Sequence, residues 1–570
     1  MTSLKNLLSQ LEKSKRTFGI GEGARTETLL RLLAQHRFRD VYSLIRFHEA
    51  LLFVCSHPQS PAALRLANEL LTTFIKRVEE LQSSDLDLTP FDYIEYSGIA
   101  GTTISGGFSY DIVRFLIRRH SGEVDVDWSA GSNPERLGAT LPRFLPLLYE
   151  DSLVEANIPY LTWLHAAKGL KNQDLDWLVK RFEGLRLSER QKAELFDSLE
   201  IRVKWKLGES RASRTLNRRR IQKAFYHTRP LIRRSDVSLD KEFGSKPLEL
   251  EKLSAADGLK IQDMLRETTT VRYRELYGIT HSDPANVVRA TPGRGVEIYL
   301  WGLPPERRLP LRAYHAGFTL KNGVPINYIE GITICDRMEI GFNTFYTFRE
   351  GESAWVYAKV LKLLHQVVGV SCISIDPYQL GFHNEEAIES GAFWFYRKLG
   401  FRPIRPDLAR LTATEEKKMA ADRKHRTSAR VLRRLSEGNV VYEAPGSMRG
   451  DWDRFAIRNV GLAVGRRMAL EFDGNAEEIR AASVLKAAGA LDLSPQSLKK
   501  RERRAFDDLA LVLAAIADLG QWSISEKRGV VQIIRAKAGA DETHYARLLQ
   551  KHARLRSAMI RLGEMLTNEP

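Results

Sequence analysis

The sequence predicts an α+β protein: a central mixed sheet flanked by helices, with all-helical regions at the N- and C-terminal ends. Three observations predict it. Apolar residues recur at three- and four-residue intervals over roughly the first 80 residues and again over 450–570, the period of a helix with one buried face. Between them, "GVEIYLWGL", "LRAYHAGFTL", "VPINYIEGITIC" and "RMEIGFNTFYTF" read as successive strands. Lys321-Asn322-Gly323 joins the middle two, and Asn-Gly is the favoured two-residue hairpin turn. The expected segmentation is 1–240, helical, with a basic stretch at 202–235; 255–445, the sheet-bearing domain; and 450–570, helical again.

The elements follow in order. "ETLLRLLAQHRFRDVYSLIRFHEALLFVC" and "SPAALRLANELLTTFIKRVEEL" are helices, the second with Ser60 as N-cap and Pro61 in its first turn. Gly98, Gly101, Gly106 and Gly107 precede another helix. Their spacing fits neither a Walker loop nor GxGxxG, so a tightly turned loop is expected there. Short helices are expected from Pro142 to Leu199. The run 202–235 carries twelve Lys or Arg against the single acid Glu209, with Trp205, Phe225 and Tyr226 interleaved, a composition suited to a nucleic-acid surface or a solvated linker. After the strands, "ESAWVYAKVLKLLHQVVG" is a helix striped by Val356, Val360, Leu363, Leu364 and Val367, and "VSCISID" is a buried strand. A loop, "PYQLGFHNE", leads to "SGAFWFYRKLGFRP". There four aromatics, Phe393 to Tyr396, close a helix, Gly400 ends it in the left-handed position, and Phe401 opens a strand that "GNVVYEA" can pair.

Composition narrows the classes. The chain of 570 residues is 43% hydrophobic and 28% charged, as globular proteins are, and no apolar run reaches the ~18 residues of a membrane helix. "MTSLKNLLSQLEKSKR" lacks the apolar core of a secretory signal, so a cytoplasmic location and no membrane partner are expected. A net charge of +16 attracts polyanions such as nucleic acid or nucleotide-like cofactors. Cys55, Cys335 and Cys372 stand far apart in apolar runs and none has a second Cys at short spacing, so buried reduced thiols and no metal are expected.

Over 255–445 the element order, together with "AFWFYRKLGFRP" and "TFREGESAW", resembles the GNAT N-acetyltransferase superfamily. The resemblance implies an acyl-CoA-dependent N-acyltransferase using acetyl-CoA or another acyl-CoA, with an unknown amine as acceptor. It implies a cofactor site drawn from Phe345, Thr347, Arg349, Gly351, Ser353, Ala354 and Asn384, where turn amides and a helix N-terminus receive the pyrophosphate. Glu352 stands where the family has its first glycine, and a carboxylate aimed at a pyrophosphate repels it. Glu339 is implied as general base, with Glu330 as a second candidate, and Tyr396 as the acid that protonates the departing thiolate. An alternative keeps the fold and changes the class: a catalytically degenerate or tRNA-dependent transferase binding nucleic acid through its basic stretches. A helical scaffold with a structural centre is the third reading.

Overall fold

The computed structural model describes residues 3–84, 86–129, 131–151, 159–170 and 172–564. The chain forms two compact units. The first comprises Met1–Pro230, Ile261–Thr280 and Asn322–Pro325, and the second Leu231–Lys260, His281–Lys321 and Ile326–Pro570.

The first unit is not all helical. Strands β1 (Thr103–Gly107), β2 (Val124–Val126) and β3 (Arg202–Lys206) form an antiparallel sheet in the order β1-β3-β2. Gly98 and Gly101 lie in a tight loop at positive φ, as expected, but Gly106 and Gly107 end strand β1, and the start of the basic run is the middle strand of a sheet. The pattern was hidden because β3 alternates short: Val203 and Trp205 are buried while the intervening cations face outward. Trp205 pairs with both Ile104 and Val124 and packs with Leu116, Phe182 and Phe196 in the core. Helix α1 (Tyr110–Arg119) starts at Ser109, whose side chain caps it, and α2 (Ala255–Thr270) contributes its residues from Ile261 onward. Ser60 and Pro61 begin their helix as expected. Helices occupy Tyr160–Lys168, Asp174–Glu183 and Glu189–Asp197; part of the helical stretch expected around 142–160 lies outside the described residues.

In the second unit, nine strands form one sheet: β4 (Leu250–Lys252), β5 (Val288–Gly293), β6 (Val296–Trp301), β7 (Ala313–Lys321), β8 (Val324–Ile334), β9 (Arg337–Thr344), β10 (Cys372–Ile375), β11 (Arg402–Pro403) and β12 (Val440–Glu443). Their spatial order is β11-β12-β10-β9-β8-β7-β6-β5-β4. Asn322 and Gly323 turn β7 into β8 with φ of 47° and 77°, the double positive φ of a type I′ turn. β9 and β10 run parallel, which demands a crossover, and helix α3 (Ser353–Val368) supplies it. Its expected stripe, Val356 to Val367, is buried. The segment expected as a loop after β10 holds two short helices, Pro377–Leu380 and α4 (Glu385–Glu389).

Helix α5 (Ala392–Arg397) buries Phe393 and Tyr396, three residues apart, and leaves Trp394 and Phe395 half-buried. It closes with the Phe401 N–H donating to the Tyr396 carbonyl across Gly400, whose φ is +107°. Gly400→Val forces a β-branched residue into that conformation and is expected to cost about 1–3 kcal/mol; a thermal melt of the variant checks it.

The C-terminal helices share this unit with the sheet. The Glu542 carboxylate accepts the N–H groups of Leu303 (2.6 Å) and Tyr314 (3.1 Å), and Arg556 donates to Asp336 (2.6 Å). Cys55, Cys335 and Cys372 are buried free thiols. Among the described residues no helix is long and apolar enough to cross a membrane.

Candidate functional site

The site arises where two parallel strands part. β10 keeps register with β9 for three pairs, Cys372–Arg337, Ile373–Met338 and Ser374–Glu339, and then turns away at Asp376. β9 runs on through Ile340 to Thr344, held on its other edge by β8 as far as the Asn327–Thr344 pair. The end of β9 thus has one edge without a strand, and a cleft of about 240 Å³ opens beside it. Phe342, Asn343 and Thr344 form one wall, α4 and α5 the other, and Arg349 and Ser353 stand at the end where α3 begins.

Alternation along β9 fixes what faces each side. Phe342 meets Tyr357 of α3, ring centroids 4.8 Å apart, so this residue points to the α3 side. Gly341 and Asn343 point to the opposite side. There the Gln379 amide, another cleft residue, lies 3.7 Å from where a Cβ on Gly341 would sit. Gly341 is the registered partner of Glu330, which therefore projects on the same side. The Tyr314 hydroxyl donates to Glu330.

Of the residues expected from sequence, Arg349, Ser353, Asn384 and Tyr396 line the cleft. Arg349 is ion-paired with Glu386 and donates through Nε to the Thr344 carbonyl at 3.3 Å, which fixes its guanidinium at the mouth. Ser353 opens a 16-residue helix whose N-terminus no side chain caps; the first-turn amides are the positive end of its dipole. Asn384 instead caps α4, accepting from the Ala387 N–H at 3.2 Å, and donates to the Tyr378 carbonyl at 3.1 Å. Tyr396 packs edge-on against Tyr357 (5.8 Å) and Phe401 (5.6 Å). Burial pushes its phenol well above the ordinary range.

Phe345, Thr347, Gly351 and Ala354 do not line it. Phe345 packs on Phe318 and Tyr328, Thr347 is buried in a 3-10 turn, and Ala354 is buried.

Glu339 also lies elsewhere. Its carboxylate accepts from Arg337 (2.9 Å) and Arg312 (3.0 Å), opposite Ser374 in the paired part of the sheet. Burial works to raise its pKa, but the two guanidinium groups outweigh burial and hold it below the usual carboxylate value. A carboxylate so stabilised is a weak base, which disfavours the role expected for it.

The expected repulsion from Glu352 does not arise. Its side chain is fully buried, pairs with Lys321 at 2.8 Å and with Arg294, and accepts the Ile232 N–H at 3.1 Å. Burial raises the carboxyl and these partners lower it further, leaving it at about 2. The charge faces the interior and is neutralised there; Glu352 takes no part in lining the cleft. Its cation partners sit at 294 and 321, too far along the chain for spacing to reveal them.

Sequence reasoning missed Asn343, Thr344, Gln379, Glu386 and Ser390, all cleft residues. The alternation of "MEIGFNTF" marks Asn343 and Thr344 as strand-end polar groups, but nothing local signals Gln379. The aromatic logic of the basic run also changes: Trp205 is a core residue, closed to base stacking. Arg214 is buried against Glu49 at 2.6 Å.

No protein-family model matches this chain, and neither does any curated protein or solved structure.

Proposed function

We propose that the second unit is an acyl-CoA-dependent N-acyltransferase of the GNAT type, moving an acyl group from a thioester to an amine. The observation that carries this reading is the cleft between the parting strands, which brings Tyr396 and the uncapped N-terminus of α3 to one cavity. Arg349 and the first amides of α3 suit a pyrophosphate. The cleft itself is sized for the thioester and its pantetheine arm, with the nucleotide lying at the mouth.

In the reaction the neutral amine attacks the thioester carbonyl, forming the C–N bond. The tetrahedral intermediate collapses with cleavage of the C–S bond, and the thiolate takes the proton of the Tyr396 hydroxyl. The amine proton passes through water to Glu330, a carboxylate outside the cleft lining that projects on the same face of the sheet as Gly341, beside the cleft residue Gln379. Burial keeps the phenol protonated at neutral pH, so Tyr396 enters the reaction as a hydrogen-bond donor to the departing sulfur.

Glu330→Gln is expected to lower kcat about 10²-fold. Glu339→Gln is expected to leave the pH–rate profile in place while lowering stability, because it removes the charge facing Arg337 and Arg312. Rate profiles and melts of both variants separate these outcomes. Acyl-CoA binding itself is tested by titration calorimetry of the full chain with acetyl-CoA. One site is expected, weakened about tenfold by Arg349→Ala; no heat at high micromolar concentration rejects the reading.

A further inference from the structure

The first unit has a cleft of its own, about 610 Å³ in volume, beside the free edge of β1. Its walls come from Asp92, Thr103, the Gly106-Gly107 backbone, Phe108, Arg202 and Tyr273. The most telling of these is Tyr273. Helix α2 ends at Thr270, and Tyr273 sits just beyond it at φ 52°, a left-handed position that glycine fills at ordinary helix ends. The N–H of Arg274 returns to the Thr269 carbonyl at 2.9 Å, so the turn is closed around a strained tyrosine. Backbone strain of this kind concentrates at ligand sites.

Tyr273 lies nearly parallel to Phe108, with 9° between the planes and centroids 6.4 Å apart. A side chain on Gly106 would come within 3.1 Å of both rings and would push them by a few tenths of an ångström, so glycine lets the rings lie close against the strand. A side chain on Gly107 would meet nothing within 4 Å, which leaves that stretch of backbone open to the cleft.

The polar groups on these walls are unequally used. The Tyr273 oxygen accepts the Ser105 N–H at 3.2 Å, while its own proton has no described acceptor. Arg202 spends Nη2 on the Ser105 carbonyl at 2.8 Å. Asp92 and the Thr103 hydroxyl have no hydrogen bond or ion pair among the described residues. Glu275, at the rim, is already committed to the N–H (3.0 Å) and hydroxyl of Ser109.

The geometry points to a saccharide-binding site: a neutral, polyhydroxylated ring packed on the half-buried ring of Tyr273, which core residue Phe108 backs, its hydroxyls shared between Asp92 as acceptor and Arg202, Thr103 and Tyr273 as donors. Sugar hydroxyls each give and take a hydrogen bond and so use donors and acceptors together. A polyamine leaves the donors idle and meets Arg202; a phosphate ester meets Asp92. The volume is that of an ordinary small-ligand site.

The test is saturation-transfer NMR on the full chain. The probes are oligosaccharides, one to four units long, of glucose, galactose, mannose and N-acetylglucosamine, with spermidine and AMP as controls. At least one sugar is expected to receive saturation, with its affinity falling about tenfold in Asp92→Ala and in Tyr273→Phe. Asp92 is exposed and Phe keeps the ring, so circular dichroism of both variants should match the parent. Silence from every sugar at millimolar concentration overturns the assignment. So does binding that both variants retain unchanged, or binding of spermidine or AMP alone.

Discussion

Glu352→Ala is expected to destabilise the second unit by about 3–5 kcal/mol, the largest single effect predicted for this chain. The substitution removes the carboxylate between Lys321 and Arg294, and the Lys321 side chain is fully buried. Burial already drags the Lys321 ammonium down to about 8, so without its partner the charge is harder still to hold. The pair as a whole contributes less than the loss of one member suggests, because burying both ions costs much of what their attraction returns. Adding Lys321→Met to Glu352→Ala should therefore recover part of the loss. Acid acts in the same direction. The folded carboxyl titrates near 2 against an ordinary value of 4.5, so its contribution is complete above about 4.5 and disappears as the pH falls towards 2. Lys321 stays charged throughout that range and does not alter the sign. Hydrogen exchange along α3, with calorimetric melts, reads the effect; a loss under about 1 kcal/mol means that the buried pair does not hold the start of α3.

Tyr396→Phe is expected to lower kcat about 10²-fold with KM and melting temperature nearly unchanged. The hydroxyl makes no hydrogen bond among the described residues, so its removal orphans no buried partner. The ring keeps its contacts with Tyr357, Phe395 and Phe401. Because burial holds the phenol well above the ordinary range, the alkaline limb of the rate profile belongs to another group. A large fall in melting temperature contradicts this account and makes the hydroxyl structural.

Local pattern carried the reading furthest where one residue decides a conformation. Asn322-Gly323 specified its turn, Gly400 its helix end, and the Val356–Val367 stripe its buried face, all from neighbours within a few positions. Tyr396, Arg349 and Ser353 came from the resemblance of "AFWFYRKLGFRP" and "TFREGESAW" to GNAT segments, and all three line one cleft. What failed depended on partners far along the chain. The three strands of the first unit are short, and β3 hides Val203 and Trp205 among cations that read as a surface. Glu339 looks like a base in its strand, and only the folded sheet brings Arg312 to it. Glu352 looked hostile to phosphate until Lys321 and Arg294 were seen to hold it inside.

The most direct measurement is a crystal structure of the full chain soaked with CoA. The account predicts electron density between the ends of β9 and β10, with the sulfur within about 3.5 Å of the Tyr396 hydroxyl and the pyrophosphate on the amides at Ser353. Density bound at another face, or a sulfur on the far side of the sheet from Tyr396, contradicts it.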